Sequence, residues 1–199
     1  MFKLLHSDLS HNGFQYQVGL NVDSRPFNPH GSCEPGGLYY TDLAHLALFL
    51  SDAWPLVADV TVPDDALVYP EPDGTKWKAS QLVLSNPRPV VQLLAELPHH
   101  MLLMMAKQSP RVLRLLNPVP PDVFLTALST HRCALSFLSQ EQLTPELCVL
   151  AHDSGRLFHR TRIWLLNSKS HCMALDAARP GWRDSFYTYI SATKASYGF

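Results

Sequence analysis

The feature that most constrains the fold is a change in the spacing of apolar residues near residue 90. Before that point apolar and polar side chains alternate, as at Phe14, Tyr16 and Val18, which is the period of a half-buried strand. After it, apolar residues recur at the three- and four-residue spacing of a helix. The sequence therefore predicts two regions joined near Val91, the first built on strands and the second on helices.

Residues 1–90 predict a small α+β head domain with a mostly antiparallel sheet. The expected order is strand, strand, glycine-rich loop, strand, helix and three strands, the last ending before Pro87. One main helix of about three turns is expected to begin at Thr41 or Asp42 and to stop before Pro55. It is predicted from apolar residues at helical spacing: Leu43, Leu46, Ala47 and Leu50.

The loop from Asn28 to Gly37 carries three glycines and two prolines in ten residues. Gly36-Gly37 directly precedes the apolar Leu38, which indicates a close backbone approach to something or a tight turn feeding a strand. Both interpretations stay open. If the loop binds a ligand, the candidate binding residues are Asn28, His30, Gly36, Gly37, Tyr39, Tyr40 and Trp77.

Three prolines recur after the change in spacing, at Pro98, Pro121 and Pro145. Proline suits the first turn of a helix, where its missing N–H costs nothing. Each is followed by an apolar helical stretch and then by a second apolar group. This recurrence predicts an α-helical repeat region over residues 91–178, made of stacked helical pairs. Residues 179–199 form an aromatic C-terminal tail that either packs on its own chain or docks onto a neighbour.

Charge is distributed unevenly along the chain. Residues 1–90 hold five Lys and Arg against ten Asp and Glu, whereas residues 91–199 hold eleven against seven. The densest basic patch consists of Arg156, His159, Arg160 and Arg162. It could meet an acidic partner, a phosphate or the acidic half of its own chain, and we favour the last. The basic excess is too scattered to favour nucleic acid.

Other residue types were weighed as sites. Cys148 and His152 lie one helical turn apart and His171-Cys172 follows, but zinc sites pair their ligands more tightly, so no metal is predicted. Three methionines either pack in a core, which we favour, or form an adaptable binding surface: Met101, Met104 and Met105.

Compartment signals are few. No apolar run reaches the ~18 residues of a membrane span, and the N-terminus lacks a signal-peptide pattern. The four cysteines include no CxxC pair. These features predict a reduced intracellular setting without a membrane.

Three segments carry a resemblance: HNGFQYQVGLNVDSRPFNPHGSCEPGGLYYTDLAHLALFL, ADVTVPDDALVY and KWKASQLVL. Together they resemble a domain of uncharacterised proteins of giant DNA viruses of amoebae, where it stands beside ankyrin-type or other helical repeats. The resemblance covers about residues 1–90. It implies kinship and no activity.

A second resemblance concerns Gly37 to Val68. A Gly-Leu-Tyr-Tyr-Thr segment, a helix and a strand ending in a Pro-Asp turn are similar to the middle of ADP-ribosyltransferase-like domains. Those enzymes hold NAD with an early His or Arg, an aromatic segment and a late Glu. Here His6 is not followed by His-Gly-Thr, and Glu71 falls in a proline-rich turn, so the catalytic part of the pattern is missing.

Taken together, the sequence favours a non-enzymatic interaction or structural protein of viral origin. It would be a virion component or a host-directed adaptor, located in the host cytoplasm or the virion, with a viral or host protein as partner or with self-assembly. No catalytic residue and no cofactor are predicted. The alternative is an ADP-ribosyltransferase-like or nucleotide-binding domain that uses the Gly36-Gly37 loop and takes NAD.

Overall fold

The computed structural model describes residues 1–30, 33–139, 141–154, 169–182 and 184. The predicted basic patch at residues 156–162 and the aromatic tail beyond residue 184 lie outside the described residues. The second apolar group of the third predicted repeat lies outside them as well.

Residues 1–89 form antiparallel sheets, in agreement with the predicted mixed α+β class. A four-stranded sheet has the order β1-β6-β9-β4, a three-stranded sheet has the order β5-β8-β7, and β2 pairs with β3. The strands are Phe2–Leu5 (β1), Ser10–His11 (β2), Phe14–Gln15 (β3), Gly19–Val22 (β4), Leu38–Tyr40 (β5), Leu56–Thr61 (β6), Val68–Pro70 (β7), Trp77–Ala79 (β8) and Gln81–Pro89 (β9). A single bridge from Phe2 to Thr41 brings β1 beside the end of β5.

The predicted three-turn helix in this region is wrong. The chain forms only a short 3₁₀ helix, Leu46–Phe49. Asp42 behaves as a cap, since its Oδ1 accepts a 2.9 Å hydrogen bond from the backbone N of His45. The spacing of apolar residues has a different cause. A single turn is enough to bury both Leu46 and Leu50. The chain then continues into strand β6, without an α-helix between β5 and β6.

The last strand is longer than expected because it continues through Pro87 to Pro89. The pairing of β9 with β6 changes register between Val57 and Asp59. Asn86 has a φ of 50° at this irregularity. A bulge leaves a residue outside the ladder, so a proline there removes no ladder hydrogen bond.

The helices begin where the prolines predict them. Pro98 directly precedes one helix, and Pro121 and Pro145 are the first residues of two others. The α-helices are Val90–Glu96 (α1), His99–Gln108 (α2), Pro121–Thr130 (α3), Pro145–Asp153 (α4) and Lys169–Ala178 (α5). The second apolar groups after α2 and α3 form short 3₁₀ helices, Pro110–Leu115 and Ala134–Phe137. The repeat, and the domain limits at residues 90 and 178, stay predictions.

Two hydrophobic clusters form the core of the part of the chain that the structure describes. The smaller one lies among the strands and includes Leu5, Tyr16 and Leu82. The larger one joins the helices and also takes in side chains from the strand region: Leu4, Leu46, Ala47, Leu50 and Val57. Met105 is fully buried in it, while Met101 and Met104 are half-buried, which agrees with a packing role for Met105. The apolar core therefore continues across residue 90.

Candidate functional site

A buried lysine of strand β8 anchors the glycine-rich loop by hydrogen bonds to its backbone. Lys78 lies on β8 and is 0% exposed. Its Nζ donates to the backbone O of Asn28 at 2.9 Å and more weakly to that of His30 at 3.5 Å. A buried ammonium must find acceptors, and the loop carbonyls supply them. The side chain therefore fixes the beginning of the loop to the sheet.

A buried carboxylate fixes the other end of the loop. Oδ2 of Asp23 accepts a 2.8 Å hydrogen bond from the backbone N of Gly37, and its Oδ1 accepts from the backbone N of Arg25 at 3.0 Å. Burial of Asp23 opposes its ionisation, but these hydrogen bonds and the charge of Arg25 outweigh it and lower the pKa of Asp23. The loop is thus a shaped element.

Gly36 and Gly37 both lie very close to other parts of the same chain. A Cβ at Gly36 would lie 2.6 Å from the backbone O of Pro26, and a Cβ at Gly37 would lie 2.5 Å from Cγ of Lys78. Their φ angles, 92° and 137°, are also unfavourable for other residues. Internal packing therefore accounts for the close backbone approach that the sequence indicates.

A cleft lies beside the loop, bounded by β1, the β2–β3 hairpin and β5. It consists of a larger cavity of about 160 Å³ and a smaller one of about 70 Å³. Five residues line both cavities and are called the junction: Lys3, His11, Asn12, Cys33 and Tyr39. The larger cavity is otherwise mainly apolar, with walls from Phe2, Leu4, Tyr40, Phe49 and Trp54. Apolar walls with a few convergent polar groups are typical of ligand pockets.

Lys3 is the most unusual residue of the junction. It is 3% exposed, and its Nζ lies 4.9 Å from the centre of the Tyr16 ring. Within the described residues it has no hydrogen-bond acceptor and no carboxylate at salt-bridge distance. Burial, and next the positive charge of Lys76, lower the pKa of Lys3 to about 7. Its ammonium therefore faces the cleft without a compensating charge from that part of the chain.

His11 packs on Trp54 at the same junction. The ring centroids are 4.5 Å apart with an interplanar angle of 30°. Burial and the nearby charge of Lys3 lower the pKa of His11 to about 4, so its ring is neutral near pH 7. The Nδ1 atom is buried without a hydrogen-bond partner among the described residues. His11 thus contributes a neutral ring to the cleft wall.

A second lysine closes the outer side of the cleft. Nζ of Lys76 lies 2.8 Å from Sγ of Cys33 and 4.9 Å from the centre of the Tyr39 ring. Burial, and next the charge of Glu71, raise the pKa of Tyr39. Cys33 has a φ of 62°, a conformation that is uncommon for a residue with a side chain. The cleft therefore holds two lysines, Lys3 and Lys76, that are close enough for their positive charges to repel each other.

Only three of the seven binding residues predicted from the sequence lie in the walls of the cleft. Tyr39 and Tyr40 line the larger cavity, and Gly37 lines the smaller one. The remaining four are in the walls of neither cavity: Asn28, His30, Gly36 and Trp77. Trp77 instead stacks on Tyr40, with ring centroids 6.0 Å apart. Whether any of the seven binds a ligand stays a prediction.

Sequence reasoning missed the charged part of the cleft. Lys3 lies within the first predicted strand, and a lysine between Phe2 and Leu4 in an apolar strand is itself a signal. Trp54 lies where the predicted helix was expected to stop, before Pro55. The sequence does not show that Lys3, Trp54 and Lys76 line one cavity, because that arrangement depends on the pairing of strands that are distant in sequence.

Across the described ranges, no group of three or more His, Cys, Asp or Glu side chains could hold a metal ion. In the same ranges, no helix is both long and apolar enough to cross a membrane.

Comparison with known proteins places the chain near ankyrin repeat proteins of Acanthamoeba polyphaga mimivirus. One is 36% identical over 92 residues, covering 44% of this chain and 45% of the relative. Another is 36% identical over 77 residues, covering 36% of this chain and 25% of the relative. A third is 39% identical over 51 residues, or 25% and 15% of the two chains.

These matches support a giant-virus origin. The chain spans less than half the length of each of these three relatives. No known family model matches the chain. No solved structure matches it either.

Proposed function

We propose that this chain is a protein-interaction module of a giant virus. Its relatives are named as ankyrin repeat proteins. Stacked helical repeats serve mainly as extended binding surfaces, because each unit adds to a common face. A binding role also fits the helices that begin at Pro98, Pro121 and Pro145, which the sequence predicts to be such a repeat.

The observation that carries the proposal is an exposed apolar row at edge strand β4. Leu20 and Val22 alternate along the strand, so they point to the same face, and they are 48% and 53% exposed. Val18 lies just before the strand and, at 60% exposure, adds apolar surface at its start. Leu20 is directly opposite Val83 of β9, which is half-buried and extends the row by one strand. Such contiguous apolar surface is typical of a protein contact.

We assign this row, Val18–Leu20–Val22, to the apolar surface of a partner protein. The partner is a viral or a host protein, and the module acts in the virion or as an adaptor in the host cytoplasm. Self-assembly through the same row is the alternative that the experiment below separates from binding to another protein.

The test is to recover the tagged full chain from infected cells and to identify any stoichiometric partner. The purified partner is then titrated against the wild type and against the triple variant Val18→Thr/Leu20→Thr/Val22→Thr, which places a residue of high strand propensity at each position. We expect at least tenfold weaker binding for the triple variant. The matched control is Val91→Thr, since Val91 is 50% exposed on helix α1.

Full affinity in the triple variant would show that the row is not the contact. If the wild type instead forms dimers at high concentration and the triple variant does not, the row binds a second copy of the chain and not another protein. A strictly monomeric protein without any stoichiometric partner would overturn the proposed function.

The alternative of a nucleotide- or NAD-binding domain depended on the Gly36-Gly37 loop. An added Cβ at either glycine would meet Pro26, Asn28 or Lys78 of the same chain, so internal packing accounts for these glycines without a bound phosphate. We therefore do not extend the proposal to that reaction. Addition of NAD is expected to leave the fluorescence of Trp77 unchanged.

A further inference from the structure

We propose that the cleft between β1 and β5 is a binding site for a small aromatic anion, with the anionic group paired to Lys3 at the junction. This site is separate from the exposed row on β4 and does not depend on the proposed function. The inference starts from the imbalance of charge inside the cleft. Lys3 is almost fully buried, lines both cavities, and lacks an acceptor among the described residues.

An anion is the ligand that corrects this imbalance. Burying an ammonium without a partner is costly, and two ammonium groups near each other add repulsion. Lys3 and Lys76 both line the larger cavity, and neither has a salt-bridge partner in the described part of the chain. Glu34 is the carboxylate in the wall of the smaller cavity, but it forms no ion pair with either lysine. A bound carboxylate would supply the missing charge.

Polar atoms beside Lys3 complete a site for the anionic group. The amide of Asn12 lies in the junction and can donate to a carboxylate. The ring of His11 lines both cavities and is neutral near pH 7, so it adds no positive charge beside Lys3.

The aromatic part of the ligand follows from the walls and the size of the larger cavity. Phe2, Tyr40, Phe49 and Trp54 contribute aromatic side chains to its lining. Aromatic rings pack favourably on one another in offset or edge-to-face geometry. The volume of about 160 Å³ is close to the ~150 Å³ of an apolar cavity that admits benzene. One ring fits the cavity, and a larger group would extend from the open side.

The test uses three probes and the full chain. Benzoate carries a ring and an anion, benzamide is its neutral isostere, and acetate is the anion without the ring. Each probe is titrated to millimolar concentration, the range expected for so few atoms, while amide chemical shifts are followed by NMR. We expect benzoate to shift the residues of β1, β2 and β5. We expect benzamide and acetate to bind at least tenfold more weakly.

Two variants connect the binding to the assigned residues. Lys3→Met keeps the aliphatic stem and removes the charge, and we expect benzoate affinity to fall at least tenfold. Lys76→Met removes the charge of the half-buried outer lysine, and we expect a smaller loss of benzoate affinity from it. This variant replaces Lys3→Met in the test if Lys3→Met does not fold. Lys107→Met, on the exposed side of helix α2, is the matched control and should bind as the wild type does.

Any of the following results would overturn the proposed site. Acetate binding as tightly as benzoate would show an anion site without an aromatic component. Benzamide binding as tightly as benzoate would show that Lys3 carries no part of the affinity. Benzoate shifts confined to other surfaces, or unchanged affinity in both lysine variants, would show that the cleft is not the site.

Discussion

The side chain of Lys78 passes directly beneath Gly37, where an added Cβ would lie 2.5 Å from Cγ and 2.7 Å from Cδ of the lysine. The lysine cannot move aside easily, because it is fully buried and its Nζ holds the backbone O of Asn28. The position of Lys78 therefore requires a glycine at residue 37, and the same lysine fixes the start of the loop at Asn28.

The first prediction concerns this contact. Gly37→Ala should lower the free energy of unfolding by about 2–4 kcal/mol, since it adds an overpacked methyl group to an unfavourable φ. Chemical denaturation measures the change. Gly74→Ala is the control, because Gly74 has a φ of 69° but no atom within 4 Å of an added Cβ. Its cost should be about 1 kcal/mol, and equal losses at the two positions would contradict the role of Lys78.

The second prediction concerns acid stability. The pKa of Asp23 is lowered in the folded protein, so its carboxylate stabilises the fold above the pKa of the unfolded chain. That contribution is lost as the pH falls through the lower, folded-state pKa. Asp23→Asn should therefore cost about 1–3 kcal/mol at pH 7, and the difference from the wild type should shrink toward ~pH 2.

Urea titrations at several pH values measure this effect. The matched control is Asp64→Asn, at an exposed turn position, which should change stability by no more than about 0.5 kcal/mol at any pH. A pH-independent loss in Asp23→Asn would show that the hydrogen-bond geometry matters and the charge does not.

The third prediction tests the continuity of the core. Leu50 is 1% exposed and belongs to the cluster that contains the helices. Leu50→Ala should cost about 2–5 kcal/mol by leaving a cavity. Because the cluster crosses residue 90, amide protection in helix α2 should fall together with protection in β6, as measured by hydrogen exchange.

Leu48→Ala is the control for this substitution, since Leu48 is 39% exposed in the same 3₁₀ helix. We expect little change in protection from it. Loss of protection in β6 alone would mean that the strands and the helices unfold independently.

The fourth prediction concerns the pH dependence of benzoate binding. Benzoate stays ionised above pH 6, whereas Lys3 has a pKa near 7, so the ammonium needed for pairing disappears as the pH rises. The affinity should fall about tenfold between pH 6 and pH 8. The titratable and charged groups that line these cavities with Lys3 are Lys76, His11, Tyr16, Arg25, Cys33, Glu34 and Tyr39.

Of these neighbours, His11 stays neutral in this range because its pKa is about 4, and burial raises the pKa of Tyr16. Isothermal titration at each pH measures the affinity. The residual binding of Lys3→Met should not vary with pH, and a slope that survives this substitution would assign the titration to another group.

Local chemistry explains which parts of the fold were predictable. Pro98, Pro121 and Pro145 begin helices because a proline at a helix start needs no partner elsewhere in the chain. The helix expected after Asp42 was wrong because Leu46 and Leu50 were placed by the core, and the core needed only one turn.

The cleft was harder to predict because its charges come from distant parts of the chain. Lys78 and Asn28 are 50 residues apart in sequence, and Cys33 and Lys76 are 43 apart. Their contacts exist only once β5 has paired with β8. A glycine pair shows that backbone comes close to something, but the sequence does not show that the neighbour is a lysine of the next strand.

The shared core also limits how this chain can be recombined during evolution. Leu4, Leu46, Leu50 and Val57 turn an apolar surface of the strand region toward the helices. A gene rearrangement that joined the strands to another kind of repeat would leave this surface bare unless the new neighbour brought a matching one. We expect α1 and α2 to be inherited together with the strands, and later helices to be exchanged more freely.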